Sequence, residues 1–257
     1  MILDKIIETK KEELMRLKKE TTQAKLRETI DRLEPCRDFR KALKGKGCNI
    51  IAEVKCASPS RGRLIEDFDP VKIAGIYEKN GAAAISVLTD EKYFAGHKNY
   101  LTQIRKIVKL PLLRKDFIID PIQIYETRAI GADAILLIVR VLGKNLVEFI
   151  SLSKELGLQS LVEVHTEKEL ESALAADAEI IGINNRNLDT FVTDIETSLK
   201  LKSRIPEGKI VVAESGIREK SDIESLMQAG IHAFLIGEHL ITAADIGHKL
   251  LRFRGEG

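Results

Sequence analysis

From residue 49 onward the chain alternates between short apolar runs and amphipathic stretches, and this alternation constrains its fold more than any other feature. The apolar runs are NIIAEV, AAISVL, PLLRK, DAILLIV, QSLVEV, EIIGI, KIVVAE and AFLIG. Each is followed by a segment of helical periodicity, at 71–80, 100–108, 121–130, 144–156, 167–176, 195–203, 220–229 and 243–253. The runs are near-continuously apolar, as strands are when helices cover both faces of a parallel sheet. Asp69-Pro70 and Asp120-Pro121 have the form of an N-cap followed by proline at the first helical position. Gly81, Gly131, Gly157 and Gly230 stand where helices should stop. GAAAISVL, GADAILLI and GIHAFLIG are variants of one unit, a helix-stop glycine, small residues and a strand. Eight strand–helix units in about 210 residues match a (β/α)8 barrel in length and count. The alternative is a doubly wound open sheet. A dinucleotide-binding sheet of that kind would carry GxGxxG after its first strand. The nearest approach, Gly45-x-Gly47, precedes the first strand and lacks the third glycine.

Residues 1–48 differ in texture and form an N-terminal helical extension to a barrel at 49–257. Ile2, Leu3, Ile6, Ile7, Leu14 and Leu17 recur at helical spacing between Lys and Glu. A second helical stretch follows Thr21-Thr22, and a third covers 38–44. Residues 1–45 hold 13 basic and 9 acidic side chains. That surplus of positive charge suits a lid, and the extension is expected to cap the mouth of the barrel.

Composition narrows the function classes. The formal net charge is +2, with 41 Lys plus Arg against 39 Asp plus Glu. So small a surplus argues against a partner held by bulk charge, and neither nucleic acid nor a membrane surface is expected. No apolar run approaches the ~18 residues of a membrane span. The opening MILDKIIETKKEEL is too charged for a signal peptide. Cys36, Cys48 and Cys56 are odd in number and show no CxxC spacing. A disulfide framework or zinc site is therefore not expected, and a reducing cytoplasm is. The five histidines form no HExxH or HxH cluster.

The informative residues are ionisable ones inside the apolar runs. Alternate side chains of a barrel strand face inward. Ile51, Glu53 and Lys55 share one face of the first strand. Leu113, Lys115 and Phe117 share a face of the third, Leu161, Glu163 and His165 of the fifth, and Val212 and Glu214 of the seventh. The outward face meets helices and must be apolar, so Glu53, Lys55, Lys115, Glu163 and Glu214 are expected to point inward. Alternate strands contribute to the same level of a barrel, which would gather all five in one layer near the carboxyl-terminal mouth. Burying such groups is no gain for folding over Leu or Val, so the layer points to chemistry. His165 is expected at the rim or behind the site, and Cys56 has no histidine placed to activate it.

The strand ends add polar equipment. Asn184-Asn185-Arg186-Asn187 follows the sixth strand. Ser215-Gly216 follows the seventh and Gly237-Glu238 the eighth, where such barrels often bind phosphate through backbone N–H groups. Ser58-Pro59-Ser60-Arg61-Gly62 is a turn or a mobile loop that closes on an anion with Lys55. Phe94, Phe117, Leu136 and Leu188 are candidates for an apolar wall beside an aromatic ring.

IAEVKCASPSRG, SVLTDEKYFAG, LLRKDFIID, ADAILLIV, LVEVHT, IGINNRNL, VAESGI and AFLIGEHL, in this order along essentially the whole chain, resemble the indole-3-glycerol phosphate synthase family. The resemblance implies closure of the indole ring of a carboxyphenylamino-deoxyribulose phosphate, with loss of CO2 and water, in tryptophan biosynthesis. It implies no cofactor and no metal, a small phosphorylated substrate and no obligate protein partner. By the same resemblance Lys115 is the general acid and Glu163 its partner acid/base, Lys55 meets the substrate carboxylate, and Glu53 supports the centre. Asn184, Glu214 and Ser215 complete the catalytic set. Ser58, Phe94, Phe117, Leu136, Arg186, Leu188, Gly216, Gly237 and Glu238 would bind substrate. Two positions depart from the usual pattern: His239 stands where Ser or Ala is common, and Cys56 where Lys is. The runner-up is a phosphoribosylanthranilate isomerase-like barrel, which would want a cysteine ending the first strand and an aspartate ending the sixth. A barrel that only binds a sugar phosphate would not need five inward ionisable residues.

Overall fold

The computed structural model describes residues 2–256 apart from Lys46, Leu188, Asp189 and Phe191. Its strands are β1 (Asn49–Val54), β2 (Ala84–Leu88), β3 (Leu112–Lys115), β4 (Ala134–Ile138), β5 (Gln159–Val164), β6 (Ile180–Asn184), β7 (Ile210–Glu214) and β8 (Ala233–Ile236). They close into a barrel in sequence order, with parallel neighbours throughout and β8 pairing back onto β1. This is the (β/α)8 barrel that the alternation predicts. A two-residue hairpin, Ala57–Ser58 against Gly62–Arg63, extends from the exit of β1.

The two faces of each strand feed two separate cores. Ile50, Ala52 and Val54 of β1 pack outward with Ile85, Leu112, Ile135, Val162, Ile181, Val211 and the helices. Ile51 packs inward with Ala84, Leu113, Ala134, Leu161, Ile180, Val212 and Ala233. The period-2 alternation of the strands sorts the residues this way. The helix punctuation also stands. The Asp69 side chain accepts from the Val71 and Lys72 backbone N–H groups at 3.0 and 2.9 Å, and Asp120 forms a reciprocal capping box with Gln123.

The N-terminal extension does not lie together over the mouth as expected; it is distributed over three places. α1 (Ile2–Glu20) crosses the mouth, where Ile2, Leu3 and Ile6 line the central cavity. α2 (Gln23–Ile30), N-capped by Thr22, packs on the outer helix Pro121–Ala129. α3 (Phe39–Ala42) sits at the opposite, amino-terminal end of the barrel, where Phe39 and Leu43 join the inward core. Backbone N–H groups around α3 seal it to strand entrances, Arg37 to Asp133 at 2.7 Å and Arg40 to Gln159 at 2.8 Å. The physical reason is that the inward core is open at its lower end. Phe39 and Leu43 close it with apolar side chains, which the mouth cannot use. Among the described residues no helix is long and apolar enough to cross a membrane.

Candidate active site

The mouth of the barrel holds a cavity of about 530 Å3, within the range typical of small-molecule sites. Glu53, Lys115, Glu163 and Glu214 reach it from β1, β3, β5 and β7, directly above the inward layer of Ile51, Leu113, Leu161 and Val212. Lys55 is the exception to the expected single layer. It lies past the end of β1, one step higher, and its Nζ reaches back to Glu53 Oε1 at 2.7 Å.

Lys115 is the hub. Its Nζ lies 2.9 Å from Glu214 Oε2 and 3.2 Å from Glu163 Oε2. Burial opposes its charge, but Glu214, Glu163 and Glu53 together outweigh burial, and its pKa stands above the ordinary lysine value. The two carboxyls that share Lys115 behave differently. Burial opposes the ionised form of Glu163, yet Lys115, His165 and a hydrogen bond from the Asn184 side chain hold its pKa below the usual glutamate range. Burial and the nearby charges of Glu163 and Glu53 push Glu214 up to about 7, against the pull of Lys115. Its Oε1 is buried and, among the described residues, has no hydrogen-bond partner. That oxygen packs against the Cα of Gly182, where any side chain would occupy its position. Gly237 is likewise required beside Glu53, because a Cβ there would overlap the Glu53 carboxylate.

Ser215 holds a left-handed backbone, φ 65°, ahead of Gly216 at φ 76°. Such a conformation at serine costs roughly 1–3 kcal/mol and persists only where its surroundings enforce it. Asn185 enforces it here. Its amide donates to the Ser215 carbonyl at 3.0 Å while its Oδ1 accepts from Ser198 Oγ at 2.8 Å. These bonds hold the Ser215-Gly216 turn, whose residues line the cavity.

The apolar wall forms from Phe94, Phe117 and Leu136, all lining the cavity, with the two rings 6.2 Å apart. Leu188, the fourth candidate, lies outside the described residues. Ser58, Arg186 and Glu238 line the cavity too. Ser58 Oγ is buried and, among the described residues, has no hydrogen-bond partner. Glu238 gathers two arginines, Arg61 at 2.7 Å and Arg186 at 3.6 Å. Cys56 is buried and is not among the residues lining the cavity. Among the described residues no cluster of His, Cys, Asp or Glu is arranged to hold a metal ion.

Several residues of the site were not legible in the sequence. Lys10 of α1 is 2% exposed and bridges Asp90 at 2.9 Å and Asp116 at 2.8 Å. It joins the cap to the ends of β2 and β3, next to Lys115. Tyr93 adds a hydrogen bond to the Lys5 carbonyl at 3.1 Å. Arg218 and Thr193 also reach the cavity. Asp116 beside Lys115 was the available signal, since a charge directly after an inward-facing lysine must face outward and be paired.

A closed parallel barrel with a charged layer at the carboxyl ends of its strands defines a (β/α)8 enzyme with its site in the βα loops. The chain belongs to the indole-3-glycerol phosphate synthase family, whose model matches residues 3–253. It is 49% identical over 253 residues to the indole-3-glycerol phosphate synthase of Desulforamulus reducens, covering 97% of this chain and 96% of that protein. It is 51% identical over 255 residues to that of Dehalococcoides mccartyi strain CBDB1, covering 97% and 98%. Among solved structures it is similar to thiamine phosphate pyrophosphorylase from Pyrococcus furiosus, with a TM-score of 0.64 at 15% identity, covering 85% of this chain and 96% of that one. A 3-hexulose-6-phosphate synthase superposes with a TM-score of 0.66 at 12% identity, covering 81% and 99%. At such identities these two likenesses concern the fold alone.

Proposed function

We infer that the charged layer at the barrel mouth carries out the ring closure of the indole-3-glycerol phosphate synthase reaction. The protein is a carbon–carbon lyase of tryptophan biosynthesis acting on a phosphorylated small molecule. It closes the indole ring of 1-(2-carboxyphenylamino)-1-deoxyribulose 5-phosphate with loss of CO2 and water. The observation that carries the assignment of roles is the buried Lys115 ammonium held between Glu163 and Glu214.

As the aryl carbon bonds to the ketone carbon, the carbonyl oxygen gains negative charge and needs a proton. Lys115 is the donor. The new bond leaves the ring carbon bearing both the carboxylate and the link to the sugar. Loss of CO2 returns the C–C bonding pair to the ring, while Lys55 offsets the carboxylate charge until it leaves. The hydroxyl then departs as water, which again requires a proton donor, and a neighbouring carbon gives its proton to Glu163 as the indole double bond forms. Glu53 holds Lys55 in place, and Asn184 orients Glu163. The wall of Phe94, Phe117 and Leu136 suits the aromatic ring. The turns Ser215-Gly216 and Gly237-Glu238, with Arg186 and Arg218 nearby, suit the phosphate. The free thiols of Cys36, Cys48 and Cys56 support work in a reducing cytoplasm.

Steady-state kinetics on two variants tests these roles. Lys115→Met keeps the side-chain length and removes the donor. It should leave a folded enzyme that binds substrate with kcat lowered by about 10²–10⁴-fold. Lys55→Met should raise KM as well, because Lys55 also holds an anion. A Lys115→Met enzyme within a few-fold of wild-type kcat, with circular dichroism confirming the fold, overturns the assignment.

A further inference from the structure

We propose that His165 is a positioning residue that makes the two carboxyls on Lys115 unequal, its ring standing between Glu163 and Glu169 and not against Glu214. The proposal rests on the reading of Lys115, Glu163 and Glu214 given above.

Seen from Lys115 the two carboxyls are nearly equivalent, at 3.2 and 2.9 Å. The difference lies behind them. Glu163 Oε1 faces His165 Nε2 at 3.5 Å, an ion-pair contact and not a hydrogen bond: among the described residues Nε2 is itself buried without a hydrogen-bond partner. Glu214 Oε1 lies against Gly182 and, among the described residues, has no hydrogen-bond partner. The imidazole is itself enclosed. Its Nδ1 lies 3.3 Å from Glu169 Oε2, and the same oxygen accepts the His165 backbone N–H at 2.6 Å. Glu169 belongs to the first turn of the helix Glu167–Ala175, so the turn after β5 fixes the ring between a carboxylate of the charged layer and one of the next helix.

A neutral imidazole carries one N–H and one lone pair, so between two carboxylates it would turn a lone pair toward one of them. The imidazolium has an N–H to turn toward each, in hydrogen-bond range of Glu169 at Nδ1 and in ion-pair contact with Glu163 at Nε2. The groups that face the ring are Glu163 of β5, Glu169 of the following helix and, further off, Glu214 of β7. Arg140, after β4, acts on Glu169, and Lys115 acts on Glu163. Burial disfavours the cation, but the carboxylates prevail and His165 binds its proton more tightly than an ordinary histidine. Glu163 then lies between two cations and the Asn184 amide. Glu214 shares the Lys115 cation with Glu163 and lies further from His165. One proton acceptor and one extra proton donor are thereby set on either side of Lys115 before substrate enters.

Two measurements test this. The first is a ¹⁵N-detected NMR titration of the histidine rings in the intact enzyme without substrate, with His165 assigned by its loss in His165→Gln. Both ring nitrogens of His165 should be protonated at pH 7, and Glu169→Gln should lower the pH at which the ring loses its proton. The second is the pH profile of kcat for His165→Phe. Removing the cation raises the affinity of Glu163 for a proton, so the acidic limb should move to higher pH by about one unit or more. A His165 ring that is neutral at pH 7 overturns the proposal. So does a His165→Phe enzyme whose kcat is lower but whose profile superimposes on the wild type, the result of a merely structural role. The titration needs no turnover, and a neutral ring overturns the proposal even if His165→Phe fails to fold. It is independent of the Lys115→Met kinetics, so failure here and failure of the site assignment are distinguishable.

Discussion

Lys115 keeps its charge in a buried layer because three glutamates surround it, and the cost of that arrangement falls on Glu214. An unfolded glutamate has a pKa near 4.5, and burial with the charges of Glu163 and Glu53 raises Glu214 to about 7. The folded protein therefore binds this proton more tightly than the unfolded chain. The contribution to stability is full below pH 4.5 and is lost as pH rises toward 7. Glu214→Gln cannot ionise and lacks this loss. Thermal denaturation should show the Tm of the variant gaining on wild type between pH 5 and pH 8. A difference that is the same at both ends of the window would contradict a raised Glu214. The inward direction of Glu214 was legible in VVAE, since Ala213 had to meet the helices. Its missing partner was not, because that depends on Gly182 in the neighbouring strand.

At the scale of elements, the cap and the barrel meet through Lys10. It bridges two aspartates that are themselves buried, Asp90 after β2 and Asp116 after β3, and Glu13 adds a third carboxylate at 2.7 Å. Asp116 is further held by Arg114 at 3.1 Å. Lys10 and Arg114 overcome the effect of burial and keep the Asp116 carboxyl at about 2. Lys10→Met takes the Lys10 cation from the buried Asp90 and leaves the buried Asp116 with Arg114 alone, a loss of the kind that costs about 3–5 kcal/mol. Deleting residues 1–21 instead bares them to water, so the barrel should stay folded while KM rises, because Ile2, Leu3 and Ile6 leave the cavity wall. Chemical denaturation and substrate-dependence curves on both variants check the pair. The contrast fails if the truncated protein retains wild-type KM, or if Lys10→Met is as stable as wild type. α1 was legible as a helix from its apolar spacing, but nothing in the sequence around Lys10, between Thr9 and Lys11, marks it as buried. Only the carboxyl ends of β2 and β3, brought beside it, show otherwise.

The whole molecule separates stability from chemistry along the barrel axis. Phe39 and Leu43 close the amino-terminal end over the inward layer of Ile51, Leu113 and Leu161, and the charged layer lies above that layer. Phe39 is fully buried. Phe39→Ala should cost about 3–5 kcal/mol with kcat and KM unchanged, since the apolar layer separates the void from the substrate. Denaturation midpoints beside kinetics at a temperature where the variant is folded measure both. A marked fall in kcat for folded Phe39→Ala would mean that the floor of the barrel also positions the charged layer. Deleting residues 1–45 removes this plug as well as the cap and should destabilise the barrel far more than deleting 1–21.

The sequence by itself determined the strands, their number and the faces of their residues, because these are local matters. Period-2 alternation assigns each side chain to one face, and a parallel sheet under helices requires the outward face to be apolar, which turned Glu53, Lys115, Glu163 and Glu214 inward. Caps such as Asp69-Pro70 and Asp120-Pro121 act within one turn and were equally plain. Tertiary structure alone decided what those residues meet. Whether the third helix of the extension covers the mouth or plugs the floor, which lysine is buried, and which glutamate gains His165 or only Gly182 all depend on chain segments brought together by barrel closure. Residue spacing sets the direction of a side chain from its own backbone. The charge, cavity or glycine waiting there is supplied by other strands, and that partner decides whether a buried carboxyl keeps its proton.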